Sequence, residues 1–234
     1  MAVIPFGFWS GQQSIITSNL IFYYDPANPN SYPGSGTTLT DLSGNAYTAT
    51  LVNGVGFNST DGGGSFTFDG TNDYISVPNG TANGIVDQSF TIEAWLKPST
   101  SPPTEQIYFS IMQTQVLNAW LHLRFFSDGR IRLGFYGDDL DSSSGEASFG
   151  SWQYISMRYR SSDDTSTIFK NGTQIAQNNA GPLANSANRI VKIGMWDTDQ
   201  WWKGSIGAIY AYQAALTDSQ ITSNYDALKS RYGL

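Results

Sequence analysis

The stretch Ser89–Pro98 constrains the fold of this chain more than any other part of its sequence. Apolar residues occupy every second position, and side chains along a strand alternate between the two faces of a sheet. The apolar set is Phe90, Ile92, Ala94 and Leu96. The opposite face carries a carboxylate and an indole, from Glu93 and Trp95. The pattern predicts a strand with one core face and a second face whose role bears on function.

Short alternating runs of this kind recur along the chain and are separated by turn residues. Asn53-Gly54 and Asn171-Gly172 are typical of tight hairpin turns, because these residue types tolerate a positive φ. About a dozen such strands between residues 20 and 211 indicate an all-β sandwich or barrel. A chain of 234 residues accommodates one such domain, which we place at residues 20–234.

The end of the chain has a different pattern, which predicts one amphipathic helix of about four turns. Thr217 followed by Gln220 three residues later is a capping-box sequence. Apolar residues then recur at helical spacing, at Ile221, Tyr225, Leu228 and Tyr232. Gly233 ends the periodic segment. We expect this helix to dock on the sandwich and to be structural.

Composition excludes several classes of function. Twelve Lys and Arg against 19 Asp and Glu give a net charge of −7, which argues against nucleic-acid binding because that needs a positive field. The chain has no cysteine, and His122 is its only histidine, which excludes disulfides, zinc–thiolate sites and multi-histidine metal sites. No apolar run is long enough to span a membrane. The N-terminus lacks a basic leader and a cleavage site, so we expect the protein to be made in a cytoplasm.

Residues 1–19 differ from the rest of the chain. Phe6, Phe8 and Trp9 are large apolar groups set among glycine, proline and glutamine, and no strand or helix period is sustained. One interpretation is a poorly ordered terminal tail. The other is an arm that buries its aromatic side chains on a partner subunit, because exposed aromatic groups are otherwise unfavourable.

The alternation seen at residues 89–98 also assigns an outward set to the neighbouring predicted strands. If these strands share one sheet, its outer face combines aromatic and basic groups. The set is Glu93, Trp95, Lys97, Trp120, His122, Arg124, Arg130, Arg132, Tyr136, Tyr154 and Arg158. Five of the chain's twelve cations lie in this set with one acid, which reverses the overall sign of charge locally.

The residues leave three interpretations of this face open. Indoles stack on sugar rings and guanidinium groups bind hydroxyls, carboxylates or sulfates, so the face can be a glycan-binding surface. It can instead be covered by loops, with Trp and Arg stacked on each other. Because Trp, Tyr and Arg are also favoured at interfaces, a subunit contact is the third interpretation.

Two loops are further candidate sites. Asp139 and Asp141 lie in an acidic stretch whose oxygens can hold calcium, although the spacing is not that of an EF-hand and a solvated turn is the alternative. The second loop carries Trp196, Asp197, Asp199 and Trp201. Indoles around carboxylates at a sheet rim can form a sugar cleft, or the indoles can plug the end of the sandwich.

Six segments in order resemble laminin-G-like modules of the concanavalin A-like lectin and glucanase superfamily. They include Leu20–Asp25, the turn 41–45, Phe68–Ile75 and Phe90–Pro98. The remaining two are Phe169–Gly172 and Ile209–Thr217, so that the resemblance spans about residues 18–234. It implies a jelly roll of two antiparallel sheets, and the segment Asn224–Gly233 resembles versions in virion proteins of tailed phages, particularly marine ones.

Glycanases of this superfamily carry a Glu-x-Asp-x-x-Glu motif on one strand, which places two acids on one face. The chain has three glutamates, Glu93, Glu105 and Glu146, and none is part of such a motif. Trp95 stands where the second acid would be. Retaining hydrolysis needs two carboxyls about 5 Å apart, so we do not expect an enzyme.

The leading hypothesis is a non-catalytic virion surface protein, either a capsid decoration or a tail-appendage subunit. Residues 1–19 would anchor it to other virion subunits, as a homo-oligomer, and the body would contact host surface polysaccharide. No cofactor is expected apart from calcium. The first alternative is a cellular carbohydrate-binding or adhesion module at a cell surface or outside the cell. The second is a divergent glycanase.

Overall fold

The computed structural model describes residues 14–112, 117–179, 181, 189–197 and 199–234. Within these ranges the chain forms strands joined by short turns and ends in a helix. The first nine strands are β1 (Leu20–Tyr24), β2 (Thr38–Leu39), β3 (Ala49–Val52), β4 (Gly56–Asn58), β5 (Ser65–Asp69), β6 (Tyr74–Val77), β7 (Phe90–Pro98), β8 (Glu105–Met112) and β9 (Leu121–Phe126). The others are β10 (Ile131–Gly134), β11 (Asp139–Asp141), β12 (Gln153–Arg160), β13 (Thr165–Lys170), β14 (Thr173–Asn178), β15 (Ile190–Ile193), β16 (Met195–Trp196), β17 (Gln200–Trp201) and β18 (Lys203–Tyr212).

Two antiparallel sheets pack face to face. Sheet I has the strand order β14-β13-β12-β7-β18-β5-β4, and β1 also pairs with β18. Sheet II has the order β11-β10-β9-β8-β15-β6-β3-β2, and β16 and β17 form a separate hairpin. The all-β, two-sheet sandwich predicted from the sequence is confirmed.

Strand β7 lies near the middle of sheet I and carries the predicted core face. Phe90, Ile92, Ala94 and Leu96 are fully buried in the main hydrophobic cluster between the sheets. Sheet II contributes Leu121, Leu123 and Phe125 of β9 to the same cluster. The period-2 alternation therefore assigned the inward residues of both strands correctly.

Strand β18 runs beside β7 and connects two halves of sheet I. Its first residues pair with β5, from Lys203 to Ile206, and its last residues pair with β1. Between Ile206 and Ile209 the register with β7 shifts, as at a β-bulge. Bulges bend the strand that carries the extra residue, which lets one long strand pair with two partners in succession.

Helix α1 (Asp218–Leu228) covers the middle of the outer face of sheet I. Thr217 caps it and forms the predicted capping box with Gln220. The α-helix is one turn shorter than predicted, because the last turn, Lys229–Tyr232, is a 3₁₀ helix that ends at left-handed Gly233. Short 3₁₀ turns are frequent at helix ends. In this last turn, Tyr232 stacks on Trp95 with ring centroids 4.1 Å apart.

The described part of the predicted arm, residues 14–19, packs on the same side of the sandwich. Ile15 is buried in the cluster beneath α1. The backbone N–H of Ile16 donates to Asn224 Oδ1 at 2.7 Å, and its carbonyl accepts from the Tyr212 hydroxyl at 2.9 Å. Packing of the domain therefore begins before residue 20. The predicted partner contacts at Phe6, Phe8 and Trp9 lie outside the described residues.

Replacing Trp95 with alanine should destabilise the fold without acting through a ligand site. We expect the free energy of unfolding to fall by about 3–5 kcal/mol, because the substitution leaves a cavity between sheet I and α1. Urea unfolding measures the change. Trp201→Ala is the matched control, since Trp201 is only partly buried and its ring contact is with Tyr74. Equal, small losses for both variants would contradict this assignment.

Candidate functional site

An open pocket of about 370 Å³ lies on the outer face of sheet II, opposite the helix-covered side. Side chains of β9, β10 and β11, the hairpin β16–β17 and two turns converge on it. Its lining consists of Leu117, His122, Arg124, Arg132, Tyr136, Gly137, Asp139 and Trp196. We call it the sheet II pocket.

The alternation of side chains along β9 determines which residues form the floor of this pocket. Leu121, Leu123 and Phe125 point into the core, so His122 and Arg124 point out of the sandwich. Arg132 on β10 lies opposite Arg124 in the antiparallel register and shares that face. Like charges opposite each other on neighbouring strands destabilise a sheet unless they are compensated.

Carboxylates on the flanking strands provide that compensation. Glu105 of β8 forms a short ion pair with the Arg124 Nη1 atom. Arg132 donates to Asp139 Oδ2 at 2.7 Å and to both oxygens of Asp141, at 2.5 and 2.8 Å. The pocket floor is therefore a row of guanidinium groups bordered on both sides by acids.

Trp196 forms the aromatic wall of the pocket. Its ring stacks on His122 at 5.1 Å and meets Trp120 edge-on at 5.3 Å. The guanidinium carbon of Arg124 lies 4.6 Å from the centre of the indole, a cation–π distance. Gln200, opposite Trp196 in the hairpin, donates to Glu105 at 2.7 Å and so fixes the hairpin to the sheet. The indole remains partly exposed.

His122 is neutral. Burial and the nearby Arg124 lower its pKa well below the usual range. Its Nδ1 lies 3.3 Å from the Trp120 carbonyl, which can only accept, so Nε2 is left as an acceptor. Asp139 Oδ1, 3.8 Å from Nε2, is therefore not an ion-pair partner. Gly134 lies directly beneath the ring, where a Cβ atom would meet Nε2 at 2.0 Å.

The rim of the pocket is held by two turns. Asn118 and Asp138 form a reciprocal pair, in which Asn118 Nδ2 donates at 2.7 Å and Asp138 N–H returns a bond at 3.1 Å. This pair brings Leu117 over Gly137, and both residues line the pocket. Leu117 is 68% exposed and Tyr136 is 41% exposed, so the rim presents apolar surface to solvent.

The structure divides the predicted aromatic–basic face between the two sheets, and the interpretation of one shared face was wrong. Trp120, His122, Arg124 and Arg132 belong to the sheet II side with Trp196. Glu93, Trp95 and Arg158 lie on sheet I, whose order places β7 beside β12. Alternation shows which side chains of a strand share a face, but it does not show to which sheet the strand belongs.

The predicted ligand residues on sheet I are covered by the C-terminal segment. Trp95 is fully buried between Tyr225 and Tyr232. Arg158 is 6% exposed and donates to Asp218 Oδ1 at 2.7 Å and to the Leu216 carbonyl at 2.8 Å. The covered-face interpretation is therefore correct for sheet I, with a helix as the cover.

Glu93 is fully buried and contacts α1 directly. Its Oε2 accepts from Asn224 Nδ2 at 2.6 Å. The same amide group also donates to the Tyr212 hydroxyl at 3.1 Å. Burial raises the pKa of Glu93 to about 7, and its polar neighbours Tyr154, Asn224 and Ser156 oppose that shift.

The tryptophan-rich loop contributes one residue to the pocket rather than forming a cleft of its own. Asp197 and Asp199 are exposed beside Trp196 and do not line the pocket. Trp201 packs against Tyr74 with centroids 6.4 Å apart. The next indole, of Trp202, is fully buried in the main hydrophobic cluster against Tyr108 and Phe125, whereas Trp196 and Trp201 are only partly buried.

The predicted calcium ligands have other partners. Asp139 and Asp141 form strand β11 and direct their oxygens at Arg130 and Arg132. Within the described ranges no three acidic or histidine side chains are grouped so that they could hold a metal ion. Bound guanidinium groups occupy the oxygens that calcium would need, so the calcium interpretation is withdrawn.

Sequence reasoning missed Glu105, Gln200, Leu117 and the pocket role of Asp139. The triplet Asp139-Leu140-Asp141 did contain a signal, because it alternates like a strand and Leu140 is buried in the core. If this triplet is assigned as a strand beside β10, its two carboxylates are placed next to Arg130 and Arg132.

Comparison with known families agrees with the fold. A laminin G family model, described as the Concanavalin A-like lectin/glucanases superfamily, matches residues 69–222. The chain belongs to that superfamily. The comparison with curated protein sequences found no match. Among the described residues, no helix is long and apolar enough to cross a membrane.

Solved structures with the same fold are distant in sequence. Domain 4 of AbnA, a GH43 extracellular arabinanase from Geobacillus stearothermophilus in complex with arabinotriose, is 19% identical over 88% of this chain and 98% of that domain, with a TM-score of 0.67. Trypanosoma rangeli sialidase is 12% identical over 98% of this chain and 36% of its own, with a TM-score of 0.69. The botulinum neurotoxin serotype D/C binding domain is 16% identical over 91% of this chain and 53% of its own, with a TM-score of 0.66. The chain thus spans only part of the latter two, and at these identities the likeness shows the fold alone.

The buried carboxyl of Glu93 should make stability depend on pH. The folded state retains a proton, with a pKa of about 7, that the unfolded chain releases near pH 4.5. The contribution of Glu93 to the free energy of unfolding should therefore fall as pH rises from about 4.5 to about 7, by on the order of 3 kcal/mol, and then level off. Urea unfolding across this range measures the slope.

Glu93→Gln removes the ionisable group and should flatten this slope. Glu146→Gln is the matched control, because Glu146 is partly exposed and its side chain has no ion pair in the described part of the chain. If the wild type and Glu93→Gln kept the same slope, Glu93 would not be the group responsible.

Proposed function

We propose that this protein is a non-catalytic carbohydrate-binding module whose ligand occupies the sheet II pocket. One observation carries the proposal: a partly exposed indole, Trp196, stands beside buried polar groups in an open cavity. Sugar rings have an apolar face that stacks on an indole and hydroxyls that exchange hydrogen bonds with polar side chains. The pocket volume of about 370 Å³ is within the range typical of small-ligand sites.

The superfamily and its structural neighbours support the same class of ligand. The arabinanase domain was solved with arabinotriose, and the toxin segment is a binding domain. These ligands and roles belong to those proteins. For this chain they favour a sugar over other small molecules that would fit the same volume.

The arrangement of acids favours binding over hydrolysis. Glu93 is sealed beneath α1, away from the pocket. Glu105 and Asp139, the carboxylates nearest the pocket floor, are each paired with an arginine. A retaining glycosidase needs one carboxyl as acid and a second as nucleophile, which paired carboxylates serve poorly. The divergent-glycanase alternative would need turnover that Asp139→Asn abolishes.

We further propose that the module belongs to a virion surface, as a decoration or tail-appendage subunit. The support is the resemblance of Asn224–Gly233 to virion proteins of tailed phages, together with the aromatic residues Phe6, Phe8 and Trp9. The alternative is a cellular adhesion module. Deleting residues 1–13, and leaving the packed Ile15 and Ile16 in place, should keep the domain folded but abolish its attachment to particles. Attachment of the truncated protein would reject the anchoring role.

Trp196→Ala should weaken sugar binding by about 30-fold, because it removes the stacking wall at the centre of the site. A glycan array identifies the ligand, and isothermal titration calorimetry measures the affinity of both proteins. Trp201→Ala is the control, since Trp201 is in the same hairpin but does not line the pocket. Equal losses for both variants, or no ligand for the wild type on a broad array, would contradict the proposed site.

A further inference from the structure

The sheet II pocket contains two arginines, a feature that usually indicates a site for carboxylates or sulfates. Here both guanidinium groups are already engaged by acids of the protein. Arg124 pairs with Glu105, and Arg132 pairs with Asp139 and Asp141. We infer that the pocket selects uncharged sugars and rejects uronates and sulfated sugars, an inference that rests on the proposed carbohydrate-binding function.

The charge balance around the pocket supports this selectivity. The ion pairs around the pocket contain three cations, Arg124, Arg130 and Arg132. They contain four carboxylates, Glu105, Asp128, Asp139 and Asp141. Together these groups carry a net charge of −1, and the exposed Asp197 and Asp199 add negative charge beside Trp196. An anionic ligand would approach a surface of its own sign.

An anionic sugar would also have to compete for the guanidinium groups. Arg132 is held by three hydrogen bonds between 2.5 and 2.8 Å, two of them in a bidentate contact with Asp141. Displacing a carboxylate from such a pair leaves it uncompensated in a partly buried site, which is costly. A ligand hydroxyl avoids this cost, because it can bind without breaking the ion pairs of Arg132.

The polar atoms of the pocket residues that lack a hydrogen-bond partner in the described part of the chain include both donors and an acceptor. Arg124 is 5% exposed, and its buried Nε has no hydrogen-bond partner in the described part of the chain. The indole Nε1 of Trp196 is likewise buried without an acceptor among those residues. Neutral His122 offers Nε2 as an acceptor. A hydroxyl both donates and accepts, whereas a carboxylate only accepts and would leave His122 Nε2 unsatisfied.

A paired glycan array tests the inference on the full-length protein. Neutral oligosaccharides are printed beside analogues in which a hydroxymethyl group is oxidised to a carboxylate or a hydroxyl is sulfated. We expect binding to neutral members only, at least about 10-fold tighter than to their charged analogues, and nearly independent of salt because no net charge is neutralised. Binding restricted to charged members, or binding that falls steeply with salt, would overturn the neutral selectivity and leave the proposed function standing. Absence of binding to every member would overturn both.

The double variant Asp139→Asn/Asp141→Asn isolates the cause. It keeps the shape of β11 and leaves Arg132 without a carboxylate partner. We expect the affinity for charged analogues relative to that for neutral ones to rise by at least about 10-fold, in a salt-sensitive manner. Asp163→Asn/Asp226→Asn is the matched control, because these acids pair with Arg160 and Lys229 away from the pocket. A folded double variant that still rejects charged sugars would overturn the inference. If that variant does not fold, the salt dependence of binding by the wild type is the deciding measurement. Binding that is nearly independent of salt supports neutral selectivity, and binding that falls steeply with salt overturns it.

Discussion

The stack of Trp95 on Tyr232, with ring centroids 4.1 Å apart, joins the C-terminal segment to the middle of sheet I. Around it, α1 buries Glu93, Tyr154 and Tyr210, which would otherwise be the solvent face of the sheet. A sandwich can expose two outer faces, and this contact covers the middle of one of them. The sheet II pocket lies on the other outer face.

The two sheets compensate the charge of their outward arginines in different ways. Both carry arginine and aromatic side chains on their outer faces. On sheet I, Arg158 is covered and pairs with the first residue of α1. On sheet II, no helix of the described residues is packed over Arg124 and Arg132, and acids on the flanking strands compensate them within the sheet. The pocket can therefore stay open without leaving uncompensated charge at its floor.

The sequence predicted the strands, their inward residues and the capping box at Thr217 because each depends on local periodicity or on residues close in the chain. It did not show that Trp95 and Trp120 lie on opposite sides of the molecule. That depends on strand order, which is set by long-range pairing between β7 and β12 and between β8 and β9. The sequence did not predict the stacking of Trp196 on His122 for the same reason, because the two residues are distant in the chain and come together only in the folded structure. The acids of β11 were interpreted as calcium ligands or as a solvated turn, because the sequence does not display their cross-strand arginine partners.

Asn224 hydrogen-bonds the backbone of Ile16 from one side and Glu93 from the other. The chain therefore enters the domain on the α1 side of sheet I, whereas the pocket opens on sheet II, across the full thickness of the sandwich. Ile15 and Ile16 therefore lie on the side of the sandwich opposite the pocket. A surface that held the protein by its N-terminal side would have the pocket facing directly away from it, toward whatever approaches from solution.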